Sequence, residues 1–484
     1  MGINNLWTAL SAIEEKVSLH HLAVSTGFIG NSTGARGFRV GIDASGWIYR
    51  AVHKHGYTES PELVALFARC SRLFQLPFIP IFVFDGPGRP NVKRGKRIRR
   101  NDHWLTGHFQ QMLNAFGYLW IVAPGEAEAT LAVMTTDGVP VRVDAILTDD
   151  SDSFVFGAST VLRIRSEDNK NYEASMYSAH DIAQVLGLQR EDFILIALLV
   201  GGDYSDGLDQ CGIVTAIGLA QAGLGRQLIS GIAGKSDAQS SIFLQIWQQS
   251  LRSELMTNAS GRLPHKSRRL ALQIPQNFPD LDVINLYLRP LVSGAIPDLV
   301  ALSYQPPCLD LLAHFAEDHF IWGNHIGILD HFVDHIFGGL VIRELVQQAL
   351  ILDGFHPPVT SSSLIKQIVG ERRAECTGGL AELRLVVDLE PGILVEALKT
   401  LSGRRNPRHA ADAVDTWISK TLPKVRVWAP KSMVEHVYRA LVLDYVCAQA
   451  KPSRRKTETK QPPIASSSKT IEGPTGKHMS FIFL

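Results

Sequence analysis

The run VDAILTDDSD (143–152) passes from apolar residues into aspartates at 149, 150 and 152, and the same grammar recurs along the first half of the chain. FRVGID (38–43) ends on Asp43 and IPIFVFD (79–85) on Asp85. LWIVAPG (119–125) leads into Glu126 and Glu128, and LLVGGDY (198–204) carries Asp203. Short, continuous apolar runs read as buried parallel strands. In open α/β sheets the ligand site lies beyond the carboxyl ends of such strands. Carboxylates far apart in sequence would then meet on one rim. A cluster of that kind cannot stay ionised without cations, and oxygen-only donors suit Mg²⁺ or Mn²⁺ rather than zinc. Two such ions about 3.5–4 Å apart are the apparatus of phosphodiester hydrolysis.

Between these runs lie helix-like segments such as ASGWIYRAVH (44–53) and PELVALFARCSRLF (61–74). This βαβ rhythm predicts an α/β fold with a mostly parallel central sheet flanked by helices. Residues 180–228 read as helices, and the pattern stays helical from about 238 to 352, broken by the basic GRLPHKSRR (261–269). HPPVTSSS (356–363) reads as a linker. Strand-like IKQIVGERR (365–373), ELRLVV (382–387) and KVRVWAP (424–430) precede an amphipathic SMVEHVYRALVLDYV (432–446), a small β-plus-helix module. Residues 451–484 are rich in Lys, Ser and Pro and are expected to be disordered.

A chain of 484 residues with net charge +1 has room for several cores, and only local charge can speak of nucleic acid. Its 5 cysteines contain no C-x-x-C pair, which argues for reduced thiols in an intracellular protein. No signal-peptide core or membrane-length run appears. Of the Gly-Lys pairs at 95–96, 234–235 and 476–477 only the second precedes Ser or Thr, and Ile229 stands where a P-loop needs its first glycine, so no P-loop supports an ATPase, and no zinc spacing is present.

The ordered series MGINNLW, GIDASGWIYRA, FVFDGPGRP, APGEAEA, LTDDSDSFVFG and GGDY resembles the XPG/flap-endonuclease superfamily of structure-specific nucleases over roughly residues 1 to 230. The resemblance implies a PIN/XPG-like nuclease core over 1–204 with two Mg²⁺ ions, for which Mn²⁺ substitutes. Asp43, Asp85, Glu126, Glu128, Asp150, Asp152 and Asp203 are its metal set. If a strand runs on through Asp150 and Asp152, both point to one face, with Asp149 turned away; the competing reading is an aspartate-rich helix N-cap. Glu126 and Glu128 share a site only by lying in the first turn after Pro124-Gly125, because two-apart helical positions diverge. Gly2 is expected to pack beside the site.

RPNVKRGKRIRR (89–100) holds seven basic residues and no acidic one, directly after Asp85. It predicts phosphate contacts from Arg89, Lys93, Arg94, Lys96, Arg97 and Arg100. By resemblance, Lys93 and Arg100 sit on the next helix and stabilise the scissile phosphate, with Arg97 the alternate. Tyr49 is either a base-stacking aromatic or a core tyrosine. QCGIVTAIG (210–218) resembles the family's helix–two-turn–helix, where Gly212, Ile213 and Thr215 would meet duplex DNA and K⁺ would bridge to phosphate. Val214 stands where the family carries a second glycine. Lys266, Arg268 and Arg269 form a second expected duplex contact, on a DNA-binding helical extension over 205–355. The module at 364–450 resembles a chromodomain, although ELRLVVDLE supplies no aromatics for a methyl-lysine cage.

In flap endonucleases a long helical arch follows the second metal motif. Here only 86–125 is available, and the short segment, one-piece core and C-terminal module together resemble the eukaryotic nuclear Holliday-junction resolvases. The expected activity is cleavage of four-way junctions, and of 5′ flaps, by a protein monomeric in solution and dimeric on the junction. A dedicated 5′-flap endonuclease and a catalytically silent junction-binding scaffold remain as alternatives.

Overall fold

The computed structural model describes residues 2–30, 35–53, 58–93, 95–97, 103–136, 138–139, 141–164, 173–292, 305–355, 363–406 and 410–450. Its centre is a sheet of seven strands: β1 (Glu15–Ser18), β2 (Phe38–Asp43), β3 (Phe78–Phe84), β6 (Leu119–Val122), β7 (Ala145–Leu147), β8 (Thr160–Arg163) and β9 (Glu173–Ser178). The strands between β3 and β6, β4 (Val92–Lys93) and β5 (Lys96–Arg97), pair with each other outside it. The spatial order is β1-β9-β8-β7-β2-β3-β6. From β8 to β6 all pairs are parallel, while β8–β9 and β9–β1 are antiparallel. The expected mostly parallel sheet is therefore present.

Alternation along the central strands builds two cores. Phe38, Val40, Ile42, Phe78, Phe82 and Phe84 face one side with the helices Ala44–Val52, Pro61–Phe74 and Leu105–Phe116. Ile81, Val83, Ile121, Ile146 and Val161 face the other, against the helices Ala127–Met134 and Arg190–Val200. At Gly41 an added Cβ would come within 2.5 Å of Leu131, so glycine there is what lets helix Ala127–Met134 close on the sheet.

The stretch expected as one helical extension, 205–355, is divided between these cores. Helices from Ile213 to Leu288 pack into the second. Helices Leu309–His319, His325–His335 and Phe337–Leu352 pack into the first, together with the C-terminal module. Hydrophobic burial, which sequence order does not reveal, makes that division.

The module is a three-stranded antiparallel sheet, Ile365–Arg373, Ala381–Val387 and Arg426–Pro430, with helices around it. It is tied to the nuclease body by more than apolar contact. The buried Glu317 carboxylate accepts the backbone N–H groups of Ser402 and Gly403 at 2.9 and 2.8 Å. Arg405 pairs with Glu59 at 2.8 Å. The Arg372 guanidinium lies 4.1 Å over the Trp428 ring, so this chain's own arginine covers the one aromatic that the module's strands offer a cation. Among the described residues no single helix is long and apolar enough to cross a membrane. The linker and the C-terminal tail fall almost wholly outside the described residues.

Candidate active site

Asp43 is the last residue of β2 and the N-cap of the next helix. Its carboxylate accepts the backbone N–H groups of Ser45 at 2.8 Å and Gly46 at 3.2 Å. Ser45 Oγ donates to Asp85 at 2.9 Å, and Asp85 in turn accepts the N–H of Ala127 at 3.0 Å. These bonds bind three strand ends into one rim.

Glu126 is the extended N-cap residue of helix Ala127–Met134, and Glu128 lies in its first turn. One glutamate thus leaves before helical periodicity begins, so both reach the same site. At the next strand the expectation fails in detail. β7 stops at Leu147, and Asp150 caps a short 3₁₀ helix, Ser151–Phe154, its Oδ1 accepting the Asp152 N–H at 3.0 Å. The pair converges through a tight cap rather than through strand alternation, because the polar run leaves the sheet. Asp149 is turned elsewhere as expected, accepting from Arg163 at 3.1 Å and pairing with Arg50.

Asp203 follows helix Arg190–Val200 across a bend at Gly201, whose φ is 101°. Gly2 completes the ring: a Cβ placed there would lie 2.3 Å from Asp150 Oδ1 and 2.8 Å from Asp152 Oδ1. Ile3 N–H donates to Ser151 Oγ at 2.9 Å, which holds the terminus in place.

Lys93 enters this acidic ring. Its ammonium pairs with Glu126 and lies 2.8 Å from Asp203. Burial works against that charge, but Glu128, Glu126 and Asp203 together raise the lysine above its ordinary range. Lys93 sits on a strand of the two-stranded ribbon β4–β5, not on the expected helix. The ribbon turns at Gly95, whose φ of 67° suits glycine. Arg89 reaches Asp85 at 3.5 Å, and Lys96 and Arg97 are exposed. Arg94 and Arg100 lie outside the described residues.

Burial lifts Asp43 from 3.8 to about 7, with Asp85 and Asp150 adding repulsion. Burial likewise lifts Glu126 from 4.5 to about 7, against the pull of Lys93. Burial, then Asp150, raises Glu128, and burial raises Asp150. Glu128 Oε2 is buried with no hydrogen-bond partner. Among the described residues no three His, Cys, Asp or Glu side chains stand close enough to hold an ion as placed. The donor set is nonetheless all oxygen and over-charged, and it already draws in one cation, Lys93. It fits hard divalent ions once Lys93 withdraws.

A stability effect follows. Between pH 4 and 7 the unfolded chain ionises Asp43 and Glu126 while the folded chain keeps their protons. Their contribution, full at low pH, is lost as pH rises through 7. Bound Mg²⁺ offsets that repulsion. Mg²⁺ should raise Tm more at about pH 8 than at about pH 5.5, read by scanning fluorimetry against EDTA. Equal shifts at both pH values would refute this.

Of the expected DNA contacts, Tyr49 is 54% exposed, its ring tilted against His53 with centroids 4.2 Å apart, so it is not a core tyrosine. Gly212 is the N-cap of helix Ile213–Gln221 and has open space around it, but Thr215 is buried, because its side chain faces the helical core. Gln210 shares one open cavity of about 510 Å³ with Lys266, Arg268 and Arg269, so the turn and the basic break meet on one surface. Sequence reasoning missed Ser45 as the Asp85 tether, and Tyr287 and Leu291, which close on the site from some eighty residues downstream of Asp203 with no motif to mark them.

The fold and rim define a class. The XPG N-terminal domain matches residues 1–104 and the XPG I-region matches 117–203, so these two stretches of the chain are similar to the XPG nucleases. The chain's similarities include both GEN-type and excision-repair nucleases. It is 31% identical over 252 residues to the human protein named "Flap endonuclease GEN homolog 1", covering 47% of this chain and 26% of that protein. It is also 31% identical over 214 residues to the Xenopus laevis "DNA excision repair protein ERCC-5 homolog", 44% of this chain and 16% of that protein. The chain thus spans about a quarter or less of the length of these relatives. A Holliday junction-resolving enzyme GEN1 in complex with product DNA and Mg²⁺ superposes at TM-score 0.69 with 27% identity, covering 92% of this chain and 99% of that one. A junction-resolving GEN-1 binding potassium reaches 0.70 at 28% identity, covering 93% and 100%. The Rad2 catalytic core with DNA substrate reaches 0.50 at 26% identity and covers 69% of this chain.

Proposed function

We propose that this chain is a Mg²⁺-dependent structure-specific endodeoxyribonuclease that resolves four-way DNA junctions and also cuts 5′ flaps. The observation that carries the reading is the rim of seven carboxylates, Asp43, Asp85, Glu126, Glu128, Asp150, Asp152 and Asp203, beside a ribbon too short to form a threading arch. Duplex arms reach an open cleft without a free end. The structural match to junction-resolving enzymes over 93% of the chain, module included, supports the same branch.

Two divalent ions held by those carboxylates would activate water and stabilise the leaving oxygen. Lys93, displaced from Glu126 and Asp203, is within reach of the scissile phosphate and supplies positive charge where it develops. Gly2 lets the N-terminal backbone close on Asp150 and Asp152 at the edge of the site. The turn at Gln210–Gly212 and the cluster Lys266, Arg268 and Arg269 grip a duplex arm by phosphate contacts, which position without reading sequence. K⁺ at the turn supports that grip. The site of action is the nucleus.

The chain acts as a monomer on flaps and as a two-fold pair on a junction, whose own symmetry matches a pair of enzymes. The test is a supercoiled plasmid extruding a cruciform. Linear product formed within the lifetime of one complex is the expected result. Singly nicked circles alone, at high enzyme, would overturn coordinated resolution. Flap cutting with junctions ignored would favour a dedicated flap endonuclease, in keeping with the name of the human relative.

A further inference from the structure

Helix Leu281–Leu288 lies outside both family-model matches, yet it delivers a phenol to the floor of the carboxylate rim. Tyr287 is fully buried. Its Oη accepts the backbone N–H of Tyr204, the residue after Asp203, at 3.3 Å. The phenol is thereby tied to the turn that carries a metal-site aspartate, and the hydroxyl proton remains to donate. Burial, with the charges of Asp152, Asp203 and Glu126 nearby, keeps that proton in place.

The phenol is itself fixed from behind. Arg190 donates from Nη2 to Tyr287 O at 2.9 Å and from Nε to Val155 O at 3.2 Å. One guanidinium therefore ties the segment after Asp152 to the helix that holds the turn of Asp203. Gly202 completes the fit, since a Cβ there would lie 2.5 Å from Tyr287 Oη. Tyr204 packs on the Tyr287 ring with centroids 4.8 Å apart, which fixes its plane.

We infer that Tyr287, oriented by Arg190 and accommodated by Gly202, is a positioning residue that sets Asp203 relative to Asp152 for metal binding. The inference rests on the two-metal reading above and extends it beyond the matched domains. Groups that orient first-sphere ligands typically alter metal affinity when removed, even without touching the ion.

The test uses the full chain without DNA and Mn²⁺ as the probe, with affinity read by calorimetry and Tm read in EDTA. Tyr287→Phe should weaken Mn²⁺ binding roughly tenfold, more than any fall in Tm explains. Gly202→Ala should lower Tm in EDTA by crowding the hydroxyl. Adding Tyr287→Phe to it should restore much of that Tm but leave Mn²⁺ affinity at the level of Tyr287→Phe alone. Unchanged Mn²⁺ affinity in Tyr287→Phe overturns the inference, as does a double variant no more stable than Gly202→Ala. Absence of Mn²⁺ binding by the unaltered chain would instead overturn the metal reading itself.

Discussion

Asp152→Asn is expected to reduce junction and flap cleavage at least about a thousandfold while leaving DNA affinity within about threefold, a loss of roughly 4 kcal/mol in transition-state stabilisation. The asymmetry comes from where the residue sits. Asp152 is fully buried in the rim, one residue beyond the Ser151 that anchors the N-terminus. Its bond to the Asp150 carboxylate is made by its backbone N–H, which asparagine retains. The cap and the fold should therefore survive, and only a negative ligand is lost. The expected duplex contacts lie elsewhere, at the turn and basic cluster around Gln210 and Lys266. Single-turnover cleavage in Mg²⁺, with anisotropy binding in Ca²⁺, separates the two effects. Cutting within tenfold of the unaltered chain would sink the two-metal reading.

Lys93→Met should slow cleavage without weakening metal binding. The ammonium now occupies charge that a divalent ion needs, pairing with Glu126 and standing 2.8 Å from Asp203. Removing it takes away a competitor, so half-saturating Mg²⁺ should stay the same or fall. Cleavage at saturating Mg²⁺ should nevertheless drop by roughly 10²–10³, the usual cost of losing a group that stabilises charge at the reacting centre. In EDTA the variant should also melt earlier, because the carboxylates it neutralised are left to repel one another. A purely structural lysine would lower Tm and leave the saturated rate alone. Full cleavage at saturating metal would remove Lys93 from the chemistry.

The parts of the fold that were legible share a physical cause. FRVGID, IPIFVF and AIL are buried on both faces, so each is a nearly unbroken apolar run, and with the edge strand LWIV their order predicts a parallel sheet. The antiparallel edge, β8, β9 and β1, escaped notice. EKVS (15–18) is short and largely exposed, and its stability comes from pairing with a strand some 160 residues away. The ribbon at 92–97 was read as helix for a related reason: its basic residues carry no periodicity, and a turn at Gly95 decides the conformation. The module's three strands were legible as strand-like runs. Its burial into the nuclease core was not, because the buried Glu317 that clamps Ser402 and Gly403 lies 85 and 86 residues before them.

For the site, the chain by itself determined the inventory: which carboxylates, how many, and that each follows a strand or helix end where a rim must form. Charge and oxygen chemistry then specify the kind of ion, and both are local properties of residue type. What only tertiary structure decided is geometry. Asp150 and Asp152 converge through a cap, not a strand face. Glu126 escapes helical divergence by standing at the N-cap. Lys93 rests among the acids instead of outside them, and Tyr287 arrives from a helix that no motif marks. Each of these depends on packing between segments distant in sequence. Burial and mutual repulsion then set the protonation of Asp43 and Glu126, fields that exist only once the rim has closed.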